Sequence, residues 1–115
     1  MGLQRGMSMV IYVDIDETIC YYNEISGVRD YSKALPIKKN IQKINQLYDQ
    51  GNTIVYWTAR GTTTGKDWSR VTNDQLEKWN VKFHECRLGK PAYDLFICDK
   101  AINSYEFFRE QEISK

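Results

Sequence analysis

The chain has 115 residues, which predicts one domain over 1–115, since even a small second folded domain needs about 50 residues. Its 16 basic and 15 acidic residues leave a formal net charge of +1, so neither a basic nucleic-acid-binding surface nor an acidic tail is indicated. No apolar run approaches the ~20 residues that span a membrane, and the three cysteines form no CxxC pair, so we expect a cytoplasmic protein with reduced thiols.

Strand and helix patterns alternate in the first half of the chain. Residues 9–15 form an apolar, β-branched run that predicts a buried strand, and a polar, aromatic segment follows it as far as Pro36. Residues 37–48 place apolar side chains at helical spacing, and Gly51 ends this predicted helix. Residues 53–57 are a second apolar run and predict the next strand.

The second half continues the alternation. A loop of small and polar residues precedes a helix predicted over 68–79, which we expect Asp67 to cap. The remaining predicted elements are a strand over 81–84, a strand over 95–98 and a helix over 100–111. This order predicts an α/β protein with a three-layer, Rossmann-like, mainly parallel sheet flanked by helices. Such sheets bind ligands at the carboxyl ends of their strands.

Polar residues that could take part in catalysis or ligand binding follow the predicted strands. Asp14 and Asp16 end the first strand and project to the same side, where two carboxylates repel each other unless a cation lies nearby or one is protonated. Thr58, Lys90 and Asp99 follow the later strands. Each has an ordinary structural explanation by itself: a solvated turn, a surface charge or a helix cap. The order of these residues along the chain, and their common position at strand ends, is a more specific indication of function than any one of them alone.

In that order the residues resemble the haloacid dehalogenase-like superfamily of phosphotransferases. The sequence Asp-Ile-Asp-Glu-Thr at 14–18 is similar to the family's first motif, and Thr58, Lys90 and Asp99 are similar to its second, third and fourth. The resemblance covers residues 9–103. Within the family, the segments YWTARG and LGKPAYDLFICDKAIN look like small phosphatases of capsule and surface-polysaccharide biosynthesis.

The resemblance implies Mg²⁺-dependent phosphomonoester hydrolysis through an aspartyl-phosphate. Asp14 would be the nucleophile and Asp16 the general acid and base. Mg²⁺ would be bound by Asp14, the backbone carbonyl of Asp16, and Asp99, while Thr58 and Lys90 would bind the phosphoryl oxygens. The implied partner is a small phosphorylated substrate: a sugar phosphate, a nucleotide-sugar-linked phosphate or a small alcohol phosphate. We expect no binding to nucleic acid or to a membrane. Formation of a homo-oligomer is possible.

Several residues outside the motifs have both a chemical and a packing explanation. Cys98 occupies a position where relatives often carry an acid, and we interpret it as core packing because Mg²⁺ prefers oxygen ligands. Arg60 is predicted to contact a substrate carboxylate or second phosphate, and Lys66 to be a surface charge. His84 is interpreted as a structural hydrogen-bonding residue. Tyrosines between 18 and 36 would line a pocket or pack against a partner.

Other functions stay open on this sequence. An aspartyl-phosphate can be captured by an alcohol, which would make the protein a phosphotransferase. A receiver-like or non-catalytic phosphate-binding module would use similar residue types, although receivers carry their phosphorylated Asp after a middle strand, where this chain has Thr58. The intervals 18–36 and 61–89 are too short for a cap domain, so we predict an open site covered at most by a flap from 18–36.

Overall fold

The computed structural model describes the backbone of residues 8–23 and 29–113 and the side chains of all of these except 110–113. In chain order the elements are strand β1 (Val10–Val13), strand β2 (Cys20–Tyr21), a 3₁₀ helix (Tyr31–Lys33), strand β3 (Leu35–Pro36), helix α1 (Lys38–Asp49), strand β4 (Thr53–Trp57), helix α2 (Ser69–Lys78), strand β5 (Glu85–Arg87) and helix α3 (Ser104–Ile113). None of the helices in these ranges has the length and apolar character needed to cross a membrane.

The described residues form a three-stranded parallel sheet in the order β1-β4-β5. Val13 lies opposite Tyr56, and Tyr56 lies opposite Cys86, so the three strands end at the same edge of the sheet. The predicted α/β class with a parallel sheet is confirmed at this level. The predicted strand over 53–57 matches β4, and the first predicted strand matches β1 with shorter bounds.

The core lies between the sheet and the helices. Helix α1 packs on β4 and buries Ile41, Ile44 and Leu47, as its helical spacing predicts. Helix α2 buries Leu76. The carboxylate of Asp67 accepts a hydrogen bond from the N–H of Ser69 (2.9 Å), the first residue of the helix, but the N-cap is Trp68, which makes no side-chain cap hydrogen bond, so the predicted cap at Asp67 lies one residue before the observed N-cap. Burying a large aliphatic side chain stabilises the fold by about 1.5–3 kcal/mol.

The predicted flap is a small antiparallel hairpin over its described part. Strand β2 pairs with β3 in the register Cys20 to Pro36 and Tyr21 to Leu35, and the 3₁₀ helix lies between them. The carboxylate of Asp30 accepts a hydrogen bond from the N–H of Ser32 (3.0 Å) and so caps the 3₁₀ helix. Residues 24–28 of the flap lie outside the described residues.

The strand predicted over 81–84 is wrong, because the structure places the third strand of the sheet at Glu85–Arg87. Helix α2 ends in a tight turn in which Asn80 has a left-handed backbone (φ 59°) and the N–H of Val81 donates to the carbonyl of Leu76 (3.0 Å). Val81 is buried as a core residue after this turn, and regular pairing with β4 begins only at Glu85.

The strand predicted over 95–98 is also wrong. This segment has no regular secondary structure, and Leu95, Phe96 and Ile97 are 75%, 55% and 87% exposed. Cys98 is exposed, so its interpretation as core packing is wrong for the same reason. Within the described residues β1 pairs with β4 and no other strand. The closing helix begins at Ser104, four residues later than predicted.

The exposure of Ile97 leads to a measurable expectation. We expect Ile97→Ala to change the free energy of unfolding by less than about 0.5 kcal/mol, as for an ordinary surface substitution. Ile54→Ala, at a position with no exposure in β4, is the matched variant and should cost about 2–5 kcal/mol. Urea unfolding of both variants checks this. If Ile97→Ala lowers the free energy of unfolding as much as Ile54→Ala does, the segment 95–98 is packed in the folded protein and this expectation is wrong.

A buried hydroxyl in the central strand gives a second expectation. Tyr56 is fully buried, and its hydroxyl has no hydrogen-bond partner among the described residues. Burial raises the pKa of Tyr56 above its usual value, so the hydroxyl stays neutral. Because an unsatisfied buried polar group is costly, we expect Tyr56→Phe to stabilise the fold by about 1 kcal/mol in urea unfolding. A loss of stability above ~1 kcal/mol would show that the hydroxyl has a partner.

Candidate active site

Three of the predicted site residues meet where the parallel strands end. Asp14 follows β1 directly, Thr58 follows β4, and Lys90 follows β5 by three residues. The backbone ties the last two together, because the N–H of Lys90 donates to the carbonyl of Thr58 (3.1 Å). The N–H of Thr58 in turn donates to the carbonyl of Arg87 (2.9 Å). The shared edge of the sheet therefore builds this cluster, as the sequence predicts.

The carboxylate of Asp14 is held at one oxygen and faces a cation at the other. Its Oδ1 accepts a hydrogen bond from the N–H of Ile15 (2.8 Å), and its Oδ2 lies 3.4 Å from Nζ of Lys90. The Asp14 side chain is 44% exposed, whereas that of Lys90 is only 14% exposed. The ammonium group also lies over the rings of Trp57 and Tyr93, at 5.8 and 5.5 Å. This arrangement places a partly exposed carboxylate beside a largely buried positive charge.

The chain reverses direction directly after Asp14. The carbonyl of Ile15 accepts hydrogen bonds from the N–H groups of Thr18 and Ile19, at 3.1 and 2.9 Å. Glu17 within this turn adopts a left-handed backbone (φ 62°), which is uncommon for a residue with a side chain. Ile15 and Ile19 are fully buried, so the turn is anchored in the core. It is this tight turn that leads the chain into β2.

The loop after β4 is equally tight. Gly61 has a left-handed backbone (φ 81°), and a Cβ atom there would lie 2.1 Å from the carbonyl oxygen of Lys66, so only glycine fits. The buried hydroxyl of Thr58 accepts a hydrogen bond from the N–H of Arg60 (3.2 Å). The carbonyl of Lys90 accepts from the hydroxyl of Thr62 (2.8 Å), which joins this loop to the one that carries Lys90.

Arg60 is buried and paired with Asp16. Its Nη2 lies 2.9 Å from Oδ1 of Asp16, and the side chains are 0% and 16% exposed. Burial lowers the pKa of Arg60, but the hydrogen bonds and charge of Asp16 outweigh that effect and leave the pKa raised. The predicted contact between Arg60 and substrate therefore finds no support here, because its guanidinium does not reach solvent. Sequence reasoning missed the pairing, since buried arginines are uncommon.

Two flap residues also contact the Asp16 carboxylate. The hydroxyl of Tyr22 donates a short hydrogen bond to Oδ1, and the thiol of Cys20 lies 3.4 Å from the same oxygen. Burial and the neighbouring carboxylate raise the pKa of Cys20 to about 12, so the thiol stays protonated and is no nucleophile. Burial and the bond to Asp16 also raise the pKa of Tyr22. The flap tyrosines were predicted to line a pocket or to pack against a partner, and for Tyr22 the structure shows instead a hydrogen bond to Asp16.

Asp99, the predicted magnesium ligand from the fourth motif, lies outside the sheet whose edge carries Asp14. Asp99 is 82% exposed and forms an ion pair with Lys100 (3.2 Å), because the segment before it does not join the sheet. Across the described residues, no group of three or more His, Cys, Asp or Glu side chains is arranged to hold a metal ion. The carboxylate of Asp16 is bonded to Arg60 and Tyr22, whereas the ligand atom predicted there is the backbone carbonyl, which these bonds do not involve. The predicted set of two side-chain carboxylates and one backbone carbonyl is smaller than a group of three such side chains, so magnesium binding here stays a prediction.

The other residues singled out in the sequence have structural positions. Lys66 is exposed, and its ammonium group lies 4.3 Å from the ring centroid of Trp68, so its prediction as a surface charge is confirmed. Nδ1 of His84 accepts a hydrogen bond from the N–H of Ile54 (3.1 Å), and its ring stacks on Tyr48. The interpretation of His84 as a structural residue is confirmed.

A protein of known structure shares this fold. The crystal structure of a structural-genomics target from Vibrio cholerae matches with a TM-score of 0.74 and 26% sequence identity, over 94% of this chain and 94% of that chain. No family model and no curated protein matches the sequence. The comparison supports an α/β architecture whose parallel sheet is flanked by helices. It assigns no activity.

Proposed function

We propose that this protein is a phosphomonoester hydrolase in which Asp14 takes a phosphoryl group from a sugar phosphate or small alcohol phosphate and passes it to water. The proposal is carried by the partly exposed Asp14 carboxylate, which faces the ammonium group of Lys90 at the carboxyl end of the sheet. A carboxylate can attack an anionic ester only where positive charge offsets the repulsion. The resemblance of the four motifs to haloacid dehalogenase-like phosphatases supports the same chemistry.

The first chemical step forms the bond between Asp14 and phosphorus. The reactive form is the one in which Asp16 has taken up a proton from solvent. From this form Oδ2 of Asp14 attacks in line, the ester P–O bond breaks, and the departing oxygen takes the proton from Asp16. In the second step water attacks the same phosphorus and gives its proton to the Asp16 carboxylate. The bond between phosphorus and Asp14 then breaks, inorganic phosphate leaves, and both residues return to their starting states.

Lys90 and Thr58 stabilise the phosphoryl group in both steps. The Lys90 backbone is bonded to Thr58, and its ammonium group lies over the rings of Trp57 and Tyr93 beside the Asp14 carboxylate, so it is in place before substrate binds. The Thr58 hydroxyl accepts from the N–H of Arg60, which leaves its own hydrogen free, but Thr58 is only 1% exposed, so its bond to a phosphoryl oxygen requires a local shift that uncovers the hydroxyl. Both groups act where negative charge accumulates, and neither transfers a proton.

Phosphate release and trapping of the intermediate test this function together. The full chain is incubated with nitrophenyl phosphate, sugar phosphates, a nucleotide-linked sugar phosphate and a simple alkyl phosphate. Each reaction is run with Mg²⁺ and with EDTA, because the family resemblance implies magnesium. Acid quenching followed by borohydride reduction should convert the phosphorylated Asp14 to homoserine, which peptide mass spectrometry detects.

The outcomes separate the candidate functions. Phosphate release with label on Asp14 supports the hydrolase, and label that moves to an added alcohol supports a phosphotransferase. A stable label without turnover would favour a receiver-like module. Absence of both label and phosphate release for every ester would overturn the proposal. The most rapidly hydrolysed member of the panel then identifies the class of leaving group, including whether a nucleotide-linked sugar is accepted.

A further inference from the structure

All the hydrogen-bonding nitrogens of Arg60 are committed inside the protein. Nε lies 3.3 and 3.1 Å from the two carboxylate oxygens of Asp16, and Nη2 lies 2.9 Å from Oδ1. Nη1 donates to the hydroxyl of Thr72 (3.0 Å) and to the side-chain carbonyl of Gln75 (2.7 Å). A guanidinium has five N–H donors in a fixed plane, and this set of acceptors matches that geometry. The ammonium group of a lysine lacks the planar arrangement of N–H groups. It could not donate to Asp16 on one side and to Thr72 and Gln75 on the other at the same time.

The two oxygens of the Asp16 carboxylate differ in how many hydrogen bonds they accept. Oδ1 accepts from Nη2 of Arg60 and from the Tyr22 hydroxyl, and lies within reach of the Cys20 thiol. Among the described residues, Oδ2 is bonded by Nε of Arg60 and by no other group. One oxygen is therefore fully occupied, and the other keeps lone-pair capacity for a proton.

We propose that Arg60 is a positioning residue that, with Tyr22, holds the Asp16 carboxylate so that Oδ2 exchanges protons with the leaving group and with water. This role rests on the proposed hydrolase function. Arg60 is too deeply buried to contact the substrate, so it acts through Asp16. The directional bonds matter here because proton transfer requires the donor and acceptor atoms to lie within hydrogen-bonding distance and alignment.

The cluster also joins three parts of the chain that surround the site. Thr72 and Gln75 belong to helix α2, and the side-chain amide of Gln75 donates to the carbonyl of Tyr31 in the flap (2.7 Å). The ring of Tyr31 lies 5.0 Å from the guanidinium carbon of Arg60. Arg60 thus joins Asp16 to both the helix and the flap.

Leaving groups of different basicity test the role of Arg60. Nitrophenolate departs without a proton, whereas an alkoxide needs one. A misplaced general acid therefore lowers kcat/KM, which reports the phosphorylation of Asp14, only for the alkyl ester, while the later hydrolysis of the intermediate is common to both esters. For Arg60→Lys we expect kcat/KM for the alkyl phosphate to fall about 100-fold and that for nitrophenyl phosphate to fall less than about 3-fold. Tyr22→Phe removes one hydrogen bond and should give a smaller loss of the same kind, about 10-fold.

Controls separate positioning from general damage. Arg70→Lys, at an exposed position on helix α2, should leave both rates unchanged. Unfolding in urea shows whether each variant is folded at the assay temperature, and Tyr22→Phe is the milder variant if Arg60→Lys is not. Equal losses on both esters, or no loss in either variant, would overturn the positioning role while the hydrolase function stands. A wild-type protein without activity on either ester would overturn the hydrolase function and this role with it.

Discussion

Replacing Asp14 by asparagine should abolish turnover while the protein stays folded. The amide oxygen of asparagine can still accept the hydrogen bond that Ile15 donates to Oδ1, so the local turn is preserved. The substitution removes the negative charge and the nucleophilic oxygen that faces Lys90. Loss of a nucleophile that forms the covalent intermediate lowers kcat by about 10⁴-fold or more.

Steady-state phosphate release and intermediate trapping measure this effect. Asp74→Asn makes the same chemical change at an exposed position on α2, and we expect it to retain wild-type rates. Circular dichroism and urea unfolding of both variants establish that they are folded. If Asp14→Asn keeps a tenth or more of the wild-type rate, Asp14 is not the nucleophile. A phosphorylated residue at another position would lead to the same conclusion.

Local patterns predicted the elements that depend on near neighbours in sequence. The apolar run at 53–57 became the central strand β4, where both faces of the strand are covered and β-branched residues pack well. The stripe beginning at Ile37 became the buried face of α1. The convergence of Asp14, Thr58 and Lys90 followed from the rule that parallel strands end at one edge of their sheet.

Features that depend on distant pairing could not be predicted in the same way. A four-residue apolar run such as 95–98 does not specify which edge it pairs with, and periodicity cannot separate a buried strand from an exposed apolar segment. The partner of Arg60 is 44 positions away in sequence, and the other groups around its guanidinium come from the flap and from α2. Charge and spacing alone therefore suggested a substrate contact for this arginine.

We expect the buried pair of Arg60 and Asp16 to contribute strongly to the free energy of unfolding. The contribution depends on both residues being present. Removing one partner of a buried ion pair leaves an uncompensated charge in a poorly solvated place, which costs about 3–5 kcal/mol. We therefore expect Arg60→Met to lose this amount in urea unfolding. The loss is a large fraction of the roughly 5–15 kcal/mol that stabilises a typical domain.

A double-mutant cycle separates the charge effect from the loss of packing. Asp16→Asn in the Arg60→Met background removes the stranded carboxylate, so the double variant should be more stable than the sum of the single losses predicts, by about 2 kcal/mol. The exposed pair of Lys82 and Asp49 (2.8 Å, with side chains 49% and 54% exposed) is the matched control, and its cycle should give at most about 1 kcal/mol. Additive losses at Arg60 and Asp16 would mean that the pair is solvated in the folded protein, and that hydrogen bonds from Tyr22 and Cys20 hold the carboxylate without help from the guanidinium.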